Sequence, residues 1–401
     1  MREIPFSSFK EIAKLSTEKQ IVFFGAGNIA LKTSRRLKSE YIIVDNNPNL
    51  WGAERLGTIV QKPEILNKDS VFFVIICTTS FIEVSEQLQN MGFKRNSDYI
   101  VSPILNDLRI ISELESCKKR LLFSSGSPEQ DSPYYGGGIY ELALAADSWE
   151  YKKVFSGICY GLMRYKNNYI TIDDKHGVLE LNSKFDIIRS KNLNKGTRGH
   201  GLAFSDETQC FYIASSDLDR VLILDKNFNE KSYVSFSNKY QTEGEHCHHC
   251  NDVCIVGHSL YVSMFSLTGN WKRDIFDGVV LEIDIDTQKI VGPVISDLWM
   301  PHNVSFFDGS LVVLESLRGF LRKYNAQVVG EFPGFTRGID CDGVYYYIGQ
   351  SRNRNYSKYL GLSKNISIDT SIMIFDEETK VSRSLQLPSK LSEIHSILLI
   401  E

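Results

Sequence analysis

The chain has 401 residues, of which 45 are Lys or Arg and 49 are Asp or Glu, giving a formal net charge of −4. This balance argues against nucleic acid or an anionic membrane surface as the main partner. The hydrophobic content of 42% and the charged content of 23% exclude a disordered chain. No stretch is apolar enough for a membrane span, and residues 1–16 lack the apolar segment of a signal peptide. The eight cysteines, without a secretion signal, predict reduced thiols in a cytoplasmic protein.

Residues 1–105 alternate apolar strand patterns with helical spacers. The apolar runs are IVFFGAGNIA (21–30), YIIVDNN (41–47), VFFVIICTT (71–79) and DYIVSP (98–103). Short β-branched runs separated by helices are typical of a parallel sheet with crossover helices. These residues are therefore predicted to form a small Rossmann-like domain of four strands, and residues 106–119 a connecting helix.

The loop GAGNIA (25–30) follows the first strand and opens a helix. Gly25 permits a tight turn, and Gly27 lets backbone N–H groups approach a pyrophosphate at the start of the helix. Asp45, at the end of the next strand, is placed to accept from a ribose hydroxyl. The pattern predicts a nucleotide or nucleotide-sugar site more than an NAD(P) site, because the half that holds a nicotinamide is missing. The alternative is a domain retained for its structure alone.

From Leu121 onward the pattern changes to short alternating strands. Five segments share an inner strand, a tight turn and a second strand, and they cover residues 160–173, 200–215, 251–264, 302–315 and 337–350. Their starts are roughly 35 to 51 residues apart, which is the period of a four-stranded propeller blade.

A sixth inner strand, HSILLIE (395–401), has no partner strands after it. The segments RLLFSSGS (120–127) and GGGIYELALAADS (136–148) would complete its blade. Residues 120–401 are therefore predicted to form a six-bladed β-propeller, closed by pairing of its first and last strands so that no edge stays exposed.

One polar residue of each segment occupies the same place, the start of the innermost strand. These six residues, here called the polar ring, are Tyr160, His200, Asn251, His302, Arg337 and His395. Since the inner strands of a propeller line its central channel, the six side chains are predicted to converge at one mouth as a catalytic ring.

His200, His302 and His395 belong to alternate blades, a disposition suited to three imidazole ligands of one Zn²⁺, Mn²⁺ or Fe²⁺ ion. Asn251 and Asp252 would add an oxygen ligand or orient a bound water. Two alternatives stay open. The ring can fill the channel with ordered polar side chains and water, or it can act without metal as a base beside an Arg that clamps a carboxylate or phosphate.

The segment EHCHHCND (245–252) leads into the third inner strand and contains CxxC at Cys247 and Cys250. There is no second CxxC to make this a strong structural zinc motif. Alternation along a strand allows His249 or His248 to reach the channel mouth, so His249 is a further candidate metal ligand. The alternative is a buried loop in which the cysteines pack as small apolar residues.

Three further features are weaker candidates. Glu315 is a candidate acid or base at the channel wall, with a solvated or capping role as the alternative. His176 and His258 fall in outer turns and are predicted to be surface residues. The polar and basic insertion at 351–365 predicts a lid or a phosphate contact, with a disordered surface loop as the alternative.

FFGAGNIA, VDNNPNLWGAERLG with QKPEIL, and VIICTTSFIEVSEQLQNMGF resemble the small Rossmann-type domain attached to many bacterial polysaccharide enzymes. The N-terminal domain of the sugar acetyltransferases that make bacillosamine-type sugars is similar. Its Gly-rich loop and the acidic residue after the second strand contact a UDP-sugar, which implies that role for Gly25, Gly27, Asn28 and Asp45. The left-handed β-helix that carries acetyl-CoA is missing here, so acetyl transfer is not implied.

RGHGLAF, HHCNDV and MPHNVSF resemble an uncharacterised propeller family of surface-polysaccharide gene clusters. With the polar ring, the resemblances imply an enzyme of O-antigen or capsule sugar biosynthesis that acts on a nucleotide-linked or acidic sugar. Metal-dependent lyase, epimerase or hydrolase chemistry would suit such a ring. Two other classes stay open: a non-catalytic propeller that binds glycan or protein beside a nucleotide-sensing domain, and an NAD(P)-dependent oxidoreductase.

Overall fold

The computed structural model describes residues 9–37, 39–67, 71–105, 111, 113–145, 148–194, 196–237, 246–325, 327–352, 365–377 and 379–400. The chain divides into two compact units, Met1–Glu113 and Leu114–Glu401, and each is described by itself. Within the described ranges, no helix is both long and apolar enough to cross a membrane.

A six-stranded sheet in the order β3-β4-β2-β1-β5-β6 forms the centre of the first unit. Its strands are β1 (Gln20–Phe24), β2 (Tyr41–Val44), β3 (Glu54–Arg55), β4 (Thr58–Gln61), β5 (Phe72–Ile76) and β6 (Tyr99–Val101). The helices are α1 (Phe9–Leu15), α2 (Asn28–Ser34) and α3 (Phe81–Asn90), with 3-10 turns at Pro48–Leu50, Pro63–Ile65 and Pro103–Leu105. All neighbouring pairs are parallel except the antiparallel β3–β4 hairpin.

The central strands of this sheet are buried on both faces, as crossover helices require. Phe23 and Phe73 pack on one face, while Val22 and Val74 pack on the other face with Leu88 of α3. The sequence predicted β1, β2, β5 and β6. It missed the β3–β4 hairpin, because those short strands are mostly exposed and contain no apolar run.

The predicted connecting helix at 106–119 is described only in part. Residues 111 and 113–115 are helical, and strand β7 already begins at Lys119. Residues 106–110 and 112 lie outside the described part of the chain.

Six four-stranded antiparallel sheets make up the second unit, and each is one blade of a β-propeller. Blade six holds β7 (Lys119–Ser125), β8 (Gly138–Leu144) and β9 (Trp149–Ser156), together with β30 (Ser396–Leu399). Blade one holds β10 (Cys159–Tyr165), β11 (Asn168–Asp173), β12 (Gly177–Leu181) and β13 (Ile187–Lys191). Blade two holds β14 (Gly199–Ser205), β15 (Cys210–Ser215), β16 (Arg220–Asp225) and β17 (Glu230–Ser235).

The remaining three blades follow in chain order. Blade three holds β18 (Cys250–Val256), β19 (Ser259–Met264), β20 (Gly278–Asp284) and β21 (Lys289–Leu298), after a 3-10 turn at Trp271–Arg273 between β19 and β20. Blade four holds β22 (Pro301–Phe307), β23 (Ser310–Glu315), β24 (Phe320–Lys323) and β25 (Gln327–Glu331). Blade five holds β26 (Phe335–Cys341), β27 (Tyr346–Ser351), β28 (Ser371–Phe375) and β29 (Ser382–Gln386).

Blade six combines strands from both ends of the second unit. β30 pairs antiparallel with β7, from Ser396 opposite Ser124 to Leu399 opposite Leu121. β30 also contacts β26 of blade five and β10 of blade one. The predicted segments 120–127 and 136–148 do supply the partners of the last strand, and the pairing covers an edge that β7 alone would expose.

Apolar side chains from adjacent blades interleave to form the core. Tyr212 and Val221 of blade two pack with Val262 and Leu281 of blade three. Each fully buried side chain of this size stabilises the fold by about 1.5–3 kcal/mol.

The inner strands of blades one to five break their pairing register near their starts. The breaks lie between Cys159 and Leu162, Gly199 and Leu202, Cys250 and Asp252, His302 and Ser305, and Thr336 and Ile339. Such a β-bulge bends a strand and re-aims the side chain that it contains. Four residues of the polar ring lie within these bulges: Tyr160, His200, Asn251 and Arg337.

Candidate functional site

Five of the six residues of the polar ring lie close together. The ring centroid of Tyr160 is 5.0 Å from that of His200 and 4.9 Å from that of His395. The centroids of His200 and His395 are 5.8 Å apart. Arg337 donates from Nε to Nε2 of His302 at 3.1 Å, and its Nη1 lies 3.5 Å from Nε2 of His395.

Hydrogen bonds engage both ring nitrogens of His302. Nε2 accepts from Arg337, and Nδ1 lies 2.7 Å from Oγ of Ser316 and 3.1 Å from the carbonyl oxygen of Met300. Burial lowers the pKa of His302 well below its ordinary value, and the Arg337 guanidinium lowers it further. His302 is thus a neutral imidazole whose free lone pair is already used by Arg337.

Four polar atoms next to this mouth are buried without a hydrogen-bond partner among the residues that the structure describes. They are Nε2 of His200, Nδ1 of His249, Oδ1 of Asn251 and Nε1 of Trp271. Asn251, the sixth ring residue, is fully buried, and its Nδ2 lies 3.5 Å from the carbonyl oxygen of His249. A buried polar atom without a partner costs about 1–3 kcal/mol, so this cluster is suited to a bound ligand or ordered water.

The two imidazoles with unpaired nitrogens are neighbours. The ring centroids of His200 and His249 are 5.8 Å apart. Burial lowers the pKa of both well below the ordinary histidine value, and the adjacent imidazoles and guanidinium groups lower it further. Both side chains are therefore neutral, and each can donate one hydrogen bond to a ligand and accept another.

A cavity of about 280 Å³ opens at this mouth and is lined by Arg198, Arg337 and Arg352. Glu393 is the carboxylate among the described residues that line it. Its Oε2 lies 3.0 Å from Nε2 of His395 and 3.5 Å from Nη1 of Arg337. Three guanidinium groups against one carboxylate leave the cavity positively charged, which favours an anionic ligand.

Five of the six residues that lie two positions before a member of the polar ring line the same cavity. This second ring consists of Arg198, His249, Met300, Phe335 and Glu393. In an extended strand, residues i and i−2 lie on the same side. The sequence predicts only His249 of the second ring, and this spacing of two is the signal that could have revealed the others.

Arg352 and Trp271 follow no such repeat. Arg352 comes directly after β27, and Trp271 opens a 3-10 turn between β19 and β20, so their sequence positions give no indication that they line the cavity. The predicted insertion at 351–365 lies outside the described residues from 353 to 364.

Aromatic side chains form one wall of the cavity. The ring of His249 is 4.3 Å from that of Phe265 and 5.2 Å from that of Trp271, between centroids. Phe335 packs edge-on against His302 at 5.4 Å. An apolar wall beside convergent charged groups is the usual make-up of a small-molecule site.

The loop that carries His249 is held by one buried carboxylate. Asp219 is 0% exposed and accepts the backbone N–H groups of Cys247, His248 and His249. His249 adopts a left-handed conformation with φ of 52°, which the three hydrogen bonds stabilise.

The observed contacts of the CxxC segment in this loop are structural. Sγ of Cys250 lies 3.1 Å from the carbonyl oxygen of Ser215, and burial strongly raises the pKa of its thiol. Nδ1 of His248 lies 2.9 Å from the carbonyl oxygen of Ser266. His249, and not His248, lines the cavity.

No group of three or more His, Cys, Asp or Glu side chains is placed to hold a metal ion in the part of the chain that the structure describes. The ligand set of His200, His302 and His395 with His249, and its Zn²⁺, Mn²⁺ or Fe²⁺ ion, stays a prediction. The observed contacts favour a site built from guanidinium groups and neutral imidazoles.

One position beyond the polar ring, Asn303 bridges the inner strands of neighbouring blades. Its Nδ2 donates to the carbonyl oxygen of His395 at 3.1 Å, its Oδ1 accepts from Gly338 N at 2.5 Å, and its backbone N–H donates to Asp252 at 2.9 Å. A second chamber of about 330 Å³ lies beyond and shares no lining residue with the first. Burial raises the pKa of Asp252, which faces this chamber, to about 7.

The weaker candidates have local partners. Glu315 is 0% exposed and forms ion pairs with Arg318 and Arg322, so it serves the structure of blade four. His176 and His258 pair with carboxylates in outer turns, as surface residues do.

In the first unit, one of the groups predicted to bind a nucleotide, the carboxylate of Asp45, is engaged within the protein. Gly25 has φ of +114°, and a Cβ there would lie 2.8 Å from a backbone carbonyl oxygen just after β5. Asp45 accepts from the N–H of Ala26 at 2.9 Å. Gly27 and Asn28 are exposed at the start of α2. The nucleotide or nucleotide-sugar site stays a prediction.

A family model described as "Domain of unknown function (DUF4915)" matches residues 172–401, more than half of the chain. The chain belongs to this family. The match contains every residue of the polar ring except Tyr160. No curated protein matches this chain.

Several solved structures are similar to this DUF4915 chain at low sequence identity. A chain from a crystal structure of a nidogen/laminin complex is 13% identical with a TM-score of 0.50, over 71% of this chain and 98% of that one. A protein of unknown function from Bacteroides caccae is 14% identical with a TM-score of 0.49, over 71% and 99%. A calcium-binding regucalcin from Agrobacterium tumefaciens is 13% identical with a TM-score of 0.42, over 57% and 74%. The nidogen/laminin likeness supports the fold alone.

Proposed function

We propose that the mouth of the propeller binds a small acidic sugar and transforms it by proton transfer. In its finer form, the proposal places this sugar, free or nucleotide-linked, in bacterial surface-polysaccharide synthesis, as the sequence resemblance implies. The ligand would lie among the second ring, with its acidic group on the guanidinium side.

One observation carries the proposal. His200 and His249, each with one buried nitrogen that has no partner among the described residues, line the same cavity as Arg198, Arg337 and Arg352. Guanidinium groups bind carboxylates through paired, charge-assisted hydrogen bonds. The unpaired nitrogens are then available for the hydroxyl groups or the carbon-bound protons of the same ligand.

The size and walls of the cavity agree with a sugar. A volume of about 280 Å³ lies near the lower limit of small-molecule sites. It accommodates about one pyranose ring, while the aromatic face of Trp271 offers a surface for the C–H groups of that ring.

Calorimetric titration of the full chain with methyl glycosides of glucuronate, galacturonate, glucose and galactose tests the proposal. We expect binding of at least one of the two acidic glycosides and none of the neutral ones. Arg198→Ala and Arg352→Ala should each weaken binding by about 10- to 100-fold, since each removes a charged hydrogen bond worth about 1.5–3 kcal/mol.

Arg164→Ala is the matched control, because Arg164 is exposed on β10 and does not line the cavity. Equal affinity for acidic and neutral glycosides, or an equal loss in the control, would contradict the proposal. Binding without any conversion of the sugar would favour a non-catalytic glycan-binding propeller.

A further inference from the structure

We infer that His200 removes the proton from the carbon that bears the carboxylate of the bound sugar acid. The inference rests on the proposed function and narrows its chemistry from lyase, epimerase or hydrolase to reactions that begin with this proton abstraction. Three features of the cavity support this inference: a histidine that can act as the base, arginines that can stabilise the negative charge formed, and the small number of carboxylates.

The base is defined by geometry. His200 is 6% exposed, lines the cavity and keeps Nε2 without a partner, whereas Nε2 of His302 is bound by Arg337. Burial and nearby cations lower the pKa of His200, so the imidazole is neutral before it acts and depends on the bound carboxylate to stabilise its protonated form.

The electron sink is the group of arginines. When the carbon next to a carboxylate loses its proton, the electron pair moves into the carboxylate and gives it a second negative charge. Arg337 and Arg352 line the same cavity as His200 and would neutralise that charge as it develops. The site is built for an anion that becomes more negative during the reaction.

The shortage of carboxylates argues against glycoside hydrolysis. That reaction ordinarily needs two carboxyl groups, roughly 5–5.5 Å or 6.5–9.5 Å apart. Among the described residues that line the cavity, Glu393 is the single carboxylate, and His395 and Arg337 already contact it. Proton abstraction from carbon needs no second carboxylate.

The step balances without an oxidant or a further reactant. The C5–H bond of a hexuronate breaks, its proton moves to Nε2 of His200, and its electron pair enters the carboxylate. Return of a proton to either face of C5 restores the acid or yields its epimer. Alternatively, the electron pair returns to form the C4=C5 double bond while the C4–O bond breaks, and the leaving oxygen keeps that bonding pair and takes a proton from water.

Proton NMR in D₂O tests this step, because abstraction followed by return of a solvent deuteron removes the H5 signal. The full chain is incubated with methyl glucuronide and methyl galacturonide. We expect enzyme-dependent loss of H5, or formation of the C4–C5 unsaturated product where C4 carries a leaving group. Methyl glucoside should show neither.

Variants of His200 test whether this residue removes the C5 proton. His200→Gln and His200→Asn should slow the loss of H5 by about 100-fold or more, while calorimetry shows affinity within about threefold of the parent chain, or within about 0.7 kcal/mol. His258→Gln, at an exposed histidine of the same propeller, should have no effect.

The outcomes separate the inference from the proposed function. Binding of a uronate without loss of H5 overturns the inference and leaves the binding site. Unchanged exchange in both folded His200 variants overturns the role of His200. Absence of uronate binding overturns the proposed function itself.

Discussion

Three buried imidazoles of the polar ring differ in the contacts of their nitrogens. His302 uses both nitrogens, and Nε2 of His395 lies 3.0 Å from the carboxylate of Glu393. Nε2 of His200 has no partner. Since a neutral imidazole takes up a proton through its unprotonated nitrogen, His200 is the base that these contacts leave available.

The placement of His395 depends on a glycine, and this gives the first prediction. A Cβ at Gly126 would lie 2.5 Å from Nε2 of His395 and 3.1 Å from Cε1 of Tyr160. We expect Gly126→Ala to destabilise the propeller by about 1–3 kcal/mol, because overpacking forces the imidazole aside. Urea unfolding followed by tryptophan fluorescence measures the change.

A double-mutant cycle with His395→Ala is the control. Truncating His395 removes the atoms that the new methyl group meets, so Gly126→Ala should cost much less in that background. A cost that is the same with and without the imidazole would show that the clash with His395 is not the cause.

Asp252 gives a prediction on pH. Burial raises its pKa from 3.8 to about 7 in the folded protein, so between these values the folded state binds more protons than the unfolded state. The contribution of Asp252 to the free energy of unfolding therefore falls as pH rises from about 4 to 7, and it is constant above that range. The half-buried carboxylate faces a chamber that water can enter, so we expect a fall on the order of 1–2 kcal/mol.

The measurement compares unfolding of the parent chain and Asp252→Asn at about pH 5 and pH 8. The variant should lack the part of the fall that Asp252 contributes. Asp206→Asn, at an exposed turn position, should keep the parent's pH dependence. If Asp252→Asn keeps it as well, Asp252 does not titrate as described.

At the scale of elements, β-bulges decide where the ring side chains point. In a regular strand, successive side chains point to opposite faces of the sheet. A regular inner strand would therefore not direct its side chains at the axis of the central channel. The register breaks in blades one to five bend the strands where Tyr160, His200 and Arg337 stand.

Much of this arrangement could be predicted from the repeat. Alignment of the inner strands gave the polar ring, and the same alternation extended by two residues would have given Arg198 and Glu393. The bulges could not be predicted, because a single extra residue leaves no mark in short alternating strands. The contact between Arg337 and His302 joins side chains of two different blades, and the alignment of the segments does not predict it.

The loop before β18 gives the third prediction. Asp219 accepts three consecutive N–H groups of this loop and so positions His249. An amide has one acceptor oxygen in place of two, so we expect Asp219→Asn to destabilise the fold by about 1–3 kcal/mol and to weaken uronate binding roughly 10-fold or more. Calorimetry and urea unfolding give the two quantities.

Asp225→Asn is the matched control for this loop. Asp225 also accepts backbone N–H groups, from Asn227 and Asn229, but in an outer turn of the same blade. The control should leave uronate binding unchanged. A change in Asp219→Asn that affects stability but not binding would mean that the loop does not position His249 for the ligand.

At the scale of the whole molecule, Asn303 connects the inner strands of several blades. It bridges to blades three, five and six, and the two chambers share no lining residue among those that the structure describes. Asn303 adopts φ of 49°, a conformation that sequence patterns do not predict for a residue in a strand.

The last strand gives the final prediction, on the integrity of the propeller. A chain that ends at His395 keeps the polar ring but lacks β30, the innermost strand of blade six. It exposes the edge of β7 and removes the buried side chain of Ile397, so we expect a loss of at least about 3–6 kcal/mol and association through the free edge. Thermal unfolding and light scattering measure both effects.

Ile397→Val in the full chain is the control, and it should cost only about 0.5–1.5 kcal/mol. It shows how much of the loss of stability is due to the side chain and not to the strand. A truncated chain that stays monomeric with an unchanged unfolding midpoint would mean that the ring of blades does not depend on β30.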